Sequence, residues 1–423
     1  MSKRLEWSCP AYADISIARS TPGCIVDEMT ESPLLSIVVP TKNRHRYLGK
    51  LVKSLLEMSS REFEVVVHDN SDAGSESMEL CKSIHDSRVR YFFEPTPISM
   101  TENCERGVAL ARGSFVCMIG DDDGVMECII DVARWMKTAG IGAAVCVVPT
   151  YLWPGVGSVL DGDQTRGILR LPRYSGAVHI VEQSAGLEAV LRAGGTTIGR
   201  LPSVYQGVVS GDALEALRTL AGRCFPGPSP DMANAVGLCA VIDRFAVLDY
   251  PIVISGSCPG SGAAEGARHS HLGEIADRKF LPPDTAASWP ASVPFYFSGP
   301  TLYATTLIHA LLATGRESLL SKLRFDRLYA ACAVFAPAYR SRVEDARAQS
   351  PIPVSSLAFA AAVCWIWWRR VKALTGNAVH KLTSRLREDR AMSGLAEIGE
   401  VVSYLSERFK GPSLPQVPPG KIT

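Results

Sequence analysis

"FVCMIGDDDGVM", residues 115–126, decides how this chain is read: a mostly apolar run meets a glycine and then three consecutive aspartates. With Ser114 before it, the run reads as a continuous apolar strand of the kind buried on both faces. Neighbouring carboxylates repel by roughly 1 kcal/mol per pair in water and by more near a protein interior. Something positive belongs at this strand end.

Working outward, the region from Leu34 to Val148 alternates short β-branched runs with helical patterns, the signature of a parallel sheet covered by helices. "LLSIVVP" (34–40) is the first strand, closed by Pro40. Leu48, Leu51, Val52, Leu55 and Leu56 then form one apolar helix face. "FEVVVHD" (63–69) is a second strand, a helix follows to about His85, and "RVRYFF" (88–93) is a third strand. The next helix starts in "SMTEN", where Ser99 and Glu102 fit a capping box, and ends near Gly113. In open parallel sheets ligands bind beyond the carboxyl ends of the strands. "PTKNR", "HDNSD" and "GDDDG" each follow such an end, so the three polar clusters are expected on one rim.

Composition sets the limits. The chain has 423 residues, 47% hydrophobic and 21% charged, with 44 Lys plus Arg against 43 Asp plus Glu. Near-neutrality argues against nucleic acid as a partner, so any polyanion site is local. Twelve cysteines without a C-x-x-C pair read as reduced, mostly buried thiols. Residues 1–33 lack the apolar core of a signal peptide and read as a partly ordered leader, which points to a cytoplasmic protein, with the inner membrane face as a further possibility. "VSSLAFAAAVCWIWWRRVK" (354–372) holds an apolar stretch of about 13 residues, shorter than the roughly 20 a spanning helix needs. It reads as a buried helix of a C-terminal bundle, the alternative being peripheral membrane contact with Trp and Arg at headgroup level.

Beyond residue 150, "SVYQGVVSG" (203–211) and "FAVLDYPIVISG" (245–256) read as strands, and "FPGPSPDMANAVGLCAVI" (225–242) as a Pro/Gly loop opening a helix after Ser229 or Pro230. The Gly, Ala and Ser rich residues 255–273 form a candidate lid, and the "GSCPGSG" within it lacks the P-loop pattern. From about Thr301 the patterns are helical. The expected organisation is a leader (1–33), an α/β domain (34–298), a helical C-terminal region (299–410) and a disordered tail (411–423). Within the domain, 34–150 forms one half and 151–298, with the lid, the other.

If residues near 121 stay extended, Asp121 and Asp123 share a side and Asp122 faces away. Two carboxylates on one side suit a hard divalent cation that also holds phosphates, and such an ion would neutralise a departing diphosphate. The plainer alternative is an acidic turn capping the helix that begins near Val125. A shift to turn geometry at Gly120 would reassign the ligands among the three aspartates.

In order and spacing, "LSIVVPTKNR", "FEVVVHDNSD" and "ENCERGVALARGSFVCMIGDDDG" resemble the nucleotide-binding half of family 2 glycosyltransferases with the GT-A fold, a Rossmann-like mixed sheet flanked by helices. The resemblance covers residues 34–150 and continues more weakly to about 262, and it implies that 34–150 is the nucleotide-sugar-binding half and 151–298 the acceptor half with the lid. It implies an inverting, metal-dependent transfer of a sugar from a nucleoside diphosphate donor to a hydroxyl acceptor, a glycan or lipid-linked, in surface glycan or polysaccharide assembly. Mn²⁺ or Mg²⁺ would be the cofactor.

Carried over residue by residue, Pro40, Thr41 and Arg44 match the first nucleotide-contacting loop. Asp69 matches the acid that meets the base, with Asp72 as the alternative. Asp121 and Asp123 match the D-x-D pair of ribose and metal, and Asp122 joins the donor-binding set. Asn103 sits on a helix facing the same rim. More ordinary roles are a strand end for Thr41, solvated surface for Arg44, a helix-surface hydrogen bond for Asn103 and a packed strand end for His68.

An inverting transfer needs a general base on the acceptor side. Asp231 in "SPDM" resembles the family's catalytic base, with Asp212 as the alternative. His269 and His271 are candidate metal ligands from the lid. Two other readings are a sugar nucleotidyltransferase, which would want a Gly-rich basic loop after the first strand, and a non-catalytic sugar-nucleotide-binding or scaffold protein.

Overall fold

A computed structural model describes residues 32–72, 75–156, 167–261, 272–384, 391–409, 411 and 414. The leader up to residue 31, His269, His271 and most of the tail lie outside these residues. The first half runs β1 (Leu35–Thr41), α1 (His45–Leu56), β2 (Phe63–Asp69), α2 (Ser75–Ser83), β3 (Val89–Phe93), α3 (Met100–Ala109) and β4 (Phe115–Met118). β5 (Gly124–Val125), α4 (Ile129–Ala139) and β6 (Ala143–Cys146) follow. β1 shows why the apolar runs are continuous. Leu35, Ile37 and Val39 enter the core beneath α1 and α4, while Val38 joins Val66, Val116 and Met118 on the other face, so both sides of the pleat are covered. β1 pairs in parallel with β2 and β4, and its register sets Thr41 beside Asp69 at the carboxyl ends.

The second half adds β7 (Thr150–Leu152), β8 (Gly167–Arg170), β9 (Val178–Glu182), α5 (Gln183–Arg192), β10 (Gly207–Ser210), α6 (Gly211–Ala221) and α7 (Pro230–Leu238). Then come β11 (Arg244–Leu248), β12 (Val253–Ser257), α8 (Gly299–Ala313), α9 (Phe325–Phe335), α10 (Arg340–Ala348), α11 (Ser356–Ser384), β13 (Ala391–Leu395) and α12 (Ile398–Arg408). Eight strands form one mixed sheet in the order β3-β2-β1-β4-β10-β6-β11-β9, and five form a second, β13-β8-β7-β12-β5. The chain leaves the first sheet at β4 and enters the second at β5, and the three aspartates are the handover.

The sequence-based organisation meets the structure unevenly. α8 begins at the expected boundary, with Ser298 and Thr301 forming a capping box. Its core nevertheless runs across that boundary, since Leu187, Met232, Leu307, Leu328 and Val343 share one cluster. Residues 391–395 depart from the all-helical reading of 299–410. β13 pairs antiparallel with β8, and Ile398, Val401 and Leu405 of α12 are buried with Met126, Tyr151 and Trp153. Five residues with a register shift and Gly394 at φ +107° carry no alternation to read. At the start of the expected tail, the Gly411 amide donates to the Tyr250 hydroxyl at 2.6 Å, and Leu414 packs on the first core.

The cysteines among the described residues are all free and mostly buried. Among those residues, no helix is long and apolar enough to cross a membrane.

Candidate functional site

Loops after β1 and β2 are tied together before any ligand is considered. Asn43 sits at φ +58°, a left-handed conformation that asparagine tolerates better than most residues. There its backbone amide donates to Ser71 Oγ at 2.7 Å and its side-chain amide to Asp72 Oδ2 at 2.8 Å. The Asp72 amide returns a bond to Asn43 Oδ1 at 2.9 Å. The third loop joins through Thr41, whose hydroxyl donates to Asp121 Oδ2 at 2.6 Å, and through Arg44, whose Nη1 lies 3.1 Å from Asp121 Oδ1 and 3.9 Å from Asp122 Oδ1. The three polar clusters therefore meet on one rim, and Arg44 is a positive partner for the aspartates.

Residues 120–123 do not stay extended. The Asp123 amide donates to the Gly120 carbonyl at 3.3 Å, closing a turn, and the expected alternation is lost. Asp121 and Asp122 are the pair that faces Arg44. Asp122 Oδ2 accepts from the Cys258 amide at 2.9 Å. Asp123 Oδ1 accepts from the Gly256 amide at 2.7 Å, and its Oδ2 from the Gly120 amide at 2.8 Å and Gln206 Nε2 at 3.0 Å. Gly256 is required by contact: a Cβ there would lie 1.7 Å from the Asp122 carbonyl oxygen.

All three aspartates are buried. Burial first, then the neighbouring Asp122 charge, pushes Asp123 up to about 7. Burial likewise pushes Asp121 up to about 6 against the opposing pull of Arg44. These acids are short of positive charge. A divalent cation would supply it, and Asp121 and Asp123 each keep an oxygen with only one donor, so the donor set fits such an ion. Among the described residues no group of three His, Cys, Asp or Glu side chains is placed to hold a metal.

The other residues expected on this rim divide by exposure. Asp69 is fully buried and committed, its Oδ1 accepting from the Ser71 amide and hydroxyl and its Oδ2 from the Tyr91 hydroxyl at 2.8 Å. Asp72 is exposed beside Lys42. Asn103 is buried and braces the first loop, donating to the Thr41 carbonyl at 3.1 Å while its Oδ1 meets His68 Nδ1 at 2.5 Å. Burial lowers the His68 pKa, keeping the ring neutral. Pro40 is half-buried next to the end of β1. Ser99 caps α3 by accepting from the Glu102 amide. The Glu102 carboxylate turns to Arg106 and Arg223, so the reciprocal half of the expected capping box is replaced by ion pairs.

Asp231 opens α7 after Pro230 at the first helical position, where the missing proline N–H costs nothing. α7 is placed by buried Asn234, whose Oδ1 accepts from the Val204 amide at 2.9 Å, while the Val204 carbonyl accepts from Met118 at the end of β4. Asp231 Oδ1 accepts from the Met232 amide at 2.9 Å and from the Ser229 hydroxyl, and its Oδ2 from the Tyr303 hydroxyl at 2.6 Å. Tyr205 links the two sides: Asp123 first, then burial, Asp122 and Asp231 hold its phenol well above the usual tyrosine range. Asp212 is elsewhere. It follows Ser210, which pairs with Phe115 at the amino end of β4, the end opposite the aspartates.

Sequence reasoning missed Tyr205, Gln206, Gly256, Cys258 and Tyr303. Gln206, at φ +55°, sits inside a stretch read as plain strand. Tyr303 lies in a helix buried nearly all round, so no pattern singles it out.

Three comparisons bear on this arrangement. The sequence model described as glycosyl transferase family 2 matches residues 36–176. A glycosyltransferase, GlyG, of Streptococcus pneumoniae is 28% identical over 102 residues, 24% of this chain and 34% of that protein. The GalNAc(5)-diNAcBac-PP-undecaprenol beta-1,3-glucosyltransferase of Campylobacter jejuni is 32% identical over 97 residues, 22% of this chain and 31% of that protein. The matched stretch thus spans about a third of the length of these relatives. Among solved structures, S. aureus TarS 1-349 in complex with UDP-GlcNAc aligns with a TM-score of 0.43 at 14% identity, covering 73% of this chain and 82% of that one. A mannosyltransferase from Pyrobaculum calidifontis in complex with GDP-Man and Mn²⁺ aligns at 0.37 and 18%, covering 79% and 88%.

Proposed function

Because residues 36–176 belong to glycosyl transferase family 2, we propose that this GT-A chain moves a sugar from a nucleoside diphosphate donor to a hydroxyl acceptor with inversion. The observation that carries this reading is the Thr41 to Asp121 hydrogen bond, which with Arg44 joins the first loop to the acid turn at the carboxyl ends of β1 and β4. That rim is where an open α/β sheet takes a nucleotide.

Pro40, Thr41, Arg44, Asn103, Asp121 and Asp122 form the donor site, and Asp69 or the more accessible Asp72 serves the base. Asp121 and Asp123 would hold Mn²⁺ or Mg²⁺, which when bound would supply positive charge against the diphosphate. Asp231 takes the acceptor hydroxyl proton. The acceptor oxygen bonds to the anomeric carbon as the carbon–oxygen bond to the diphosphate breaks, and the nucleoside diphosphate departs. Tyr303 and the Met232 amide hold the Asp231 carboxylate in place. The name of the Campylobacter relative supports a glycan or lipid-linked acceptor and a role in surface glycan assembly.

Asp231→Asn is the direct test. Transfer should fall by at least about a thousandfold, at the strong end for loss of a general base, while calorimetric binding of uridine, guanosine or thymidine diphosphate with Mn²⁺ stays within about twofold of wild type. Unchanged turnover would remove Asp231 from the mechanism.

A further inference from the structure

α11 packs one face on α9, and the residues on that face are spaced as a helix requires: Phe359, Ala362, Val363 and Ile366 are buried or half-buried. The opposite face stays apolar. Leu357, Ala361, Cys364, Trp368 and Val371 recur at steps of four and three, which is a single stripe along a helix, and all five are exposed. Leu357 is 82% exposed, Trp367 49% and Trp368 58%. A surface helix ordinarily turns charged residues to this side.

The stripe ends in a cationic collar. Lys372 lies 5.2 Å from the Trp368 ring centroid. Arg370 sits over both Trp367, at 5.4 Å, and Phe335, at 5.5 Å, so the half-exposed Phe335 at the end of α9 extends the apolar patch. α11 carries Arg369, Arg370, Lys372 and Lys381 and no Asp or Glu. Among the described residues no helix is both long and apolar enough to cross a membrane.

From this we infer that α11 lies on an anionic lipid surface, with Leu357, Cys364, Trp367 and Trp368 set into the headgroup boundary and Arg370 and Lys372 against lipid phosphates. Tryptophan favours that boundary because its ring is apolar with one polar edge. Cations add attraction that an apolar protein partner would not reward. A second copy of the chain would bring the same cations against each other. The inference stands apart from the transferase reading and needs no catalytic residue.

The test uses the full chain and flotation with phosphatidylcholine vesicles, with and without phosphatidylglycerol. Binding is expected only with the anionic lipid, weakened by high salt. W367A/W368A should weaken it more than about tenfold and remove quenching of tryptophan fluorescence by brominated lipid. R370Q/K372Q should weaken it by about thirtyfold with the unfolding midpoint unchanged. Absence of vesicle binding, binding indifferent to both double variants, or a dimer by light scattering that W367A/W368A dissociates without any vesicle binding would overturn the inference.

Discussion

At the scale of single residues, Asp231 takes one of its donors from Tyr303, on a helix remote in sequence. The Met232 amide and the Ser229 hydroxyl donate to Oδ1, while Oδ2 accepts from the hydroxyl on α8, a helix far along the chain. Tyr303→Phe removes that donor and keeps the ring. A hydrogen bond to a charged group is worth about 1.5–3 kcal/mol, so turnover should fall roughly tenfold to a hundredfold. Donor binding should move by less than about twofold, measured as a kcat against KM split. Equal losses in both would mean that the tyrosine shapes the whole site. The place of Asp231 at a helix start was legible, because prolines and an acid before an apolar helix form a local pattern. Its partner was not, because a contact between distant helices leaves no trace in either segment.

Among the elements, the acid turn owes its shape to the second sheet as much as to the first. The turn enters β5, β5 pairs with β12, and β12 supplies the Gly256 amide and, just beyond it, the Cys258 amide. On the other side Ile398 of α12 is fully buried, and its side chain would lie 2.7 Å from a Cβ at Gly124. Ile398→Ala should cost about 2–5 kcal/mol, seen as a lower unfolding midpoint. It should also weaken nucleoside diphosphate binding, which a distant core cavity would leave alone. Strands β1, β2 and β4 were legible as unbroken β-branched and apolar runs with polar clusters behind them. β5 and β13 were not, since two residues and five irregular ones show no periodicity, so the second sheet went unforeseen, and with it the turn that replaces the extended alternation at residues 120–123.

For the whole molecule, the buried aspartates set a pH dependence that can be signed. Their folded pKa values, about 6 for Asp121 and about 7 for Asp123, stand above an ordinary 3.8. The folded state therefore holds protons that the unfolded chain releases, and stability is greatest at acid pH and is lost as pH rises through this window. Buried neutral His68 and His309, with lowered pKa values, act oppositely, taking stability away as pH falls below about 6.5. Calorimetric scans without metal should show the unfolding midpoint falling between about pH 6.5 and about pH 8. Mn²⁺ should restore it more at the upper end, and a flat profile would count against uncompensated charge at the turn.

The return of residues 391–408 to brace a turn at residues 120–123 also orders events in time. During synthesis β1 to β4 can pair as they emerge, but β13 and α12 follow on the order of tens of seconds later at ordinary elongation rates. Until then the acid turn lacks one of its walls. The nascent chain would hold a nearly finished first sheet and an unfinished acid turn, so the proposed nucleotide capture would have to wait until residues 391–408 have been made.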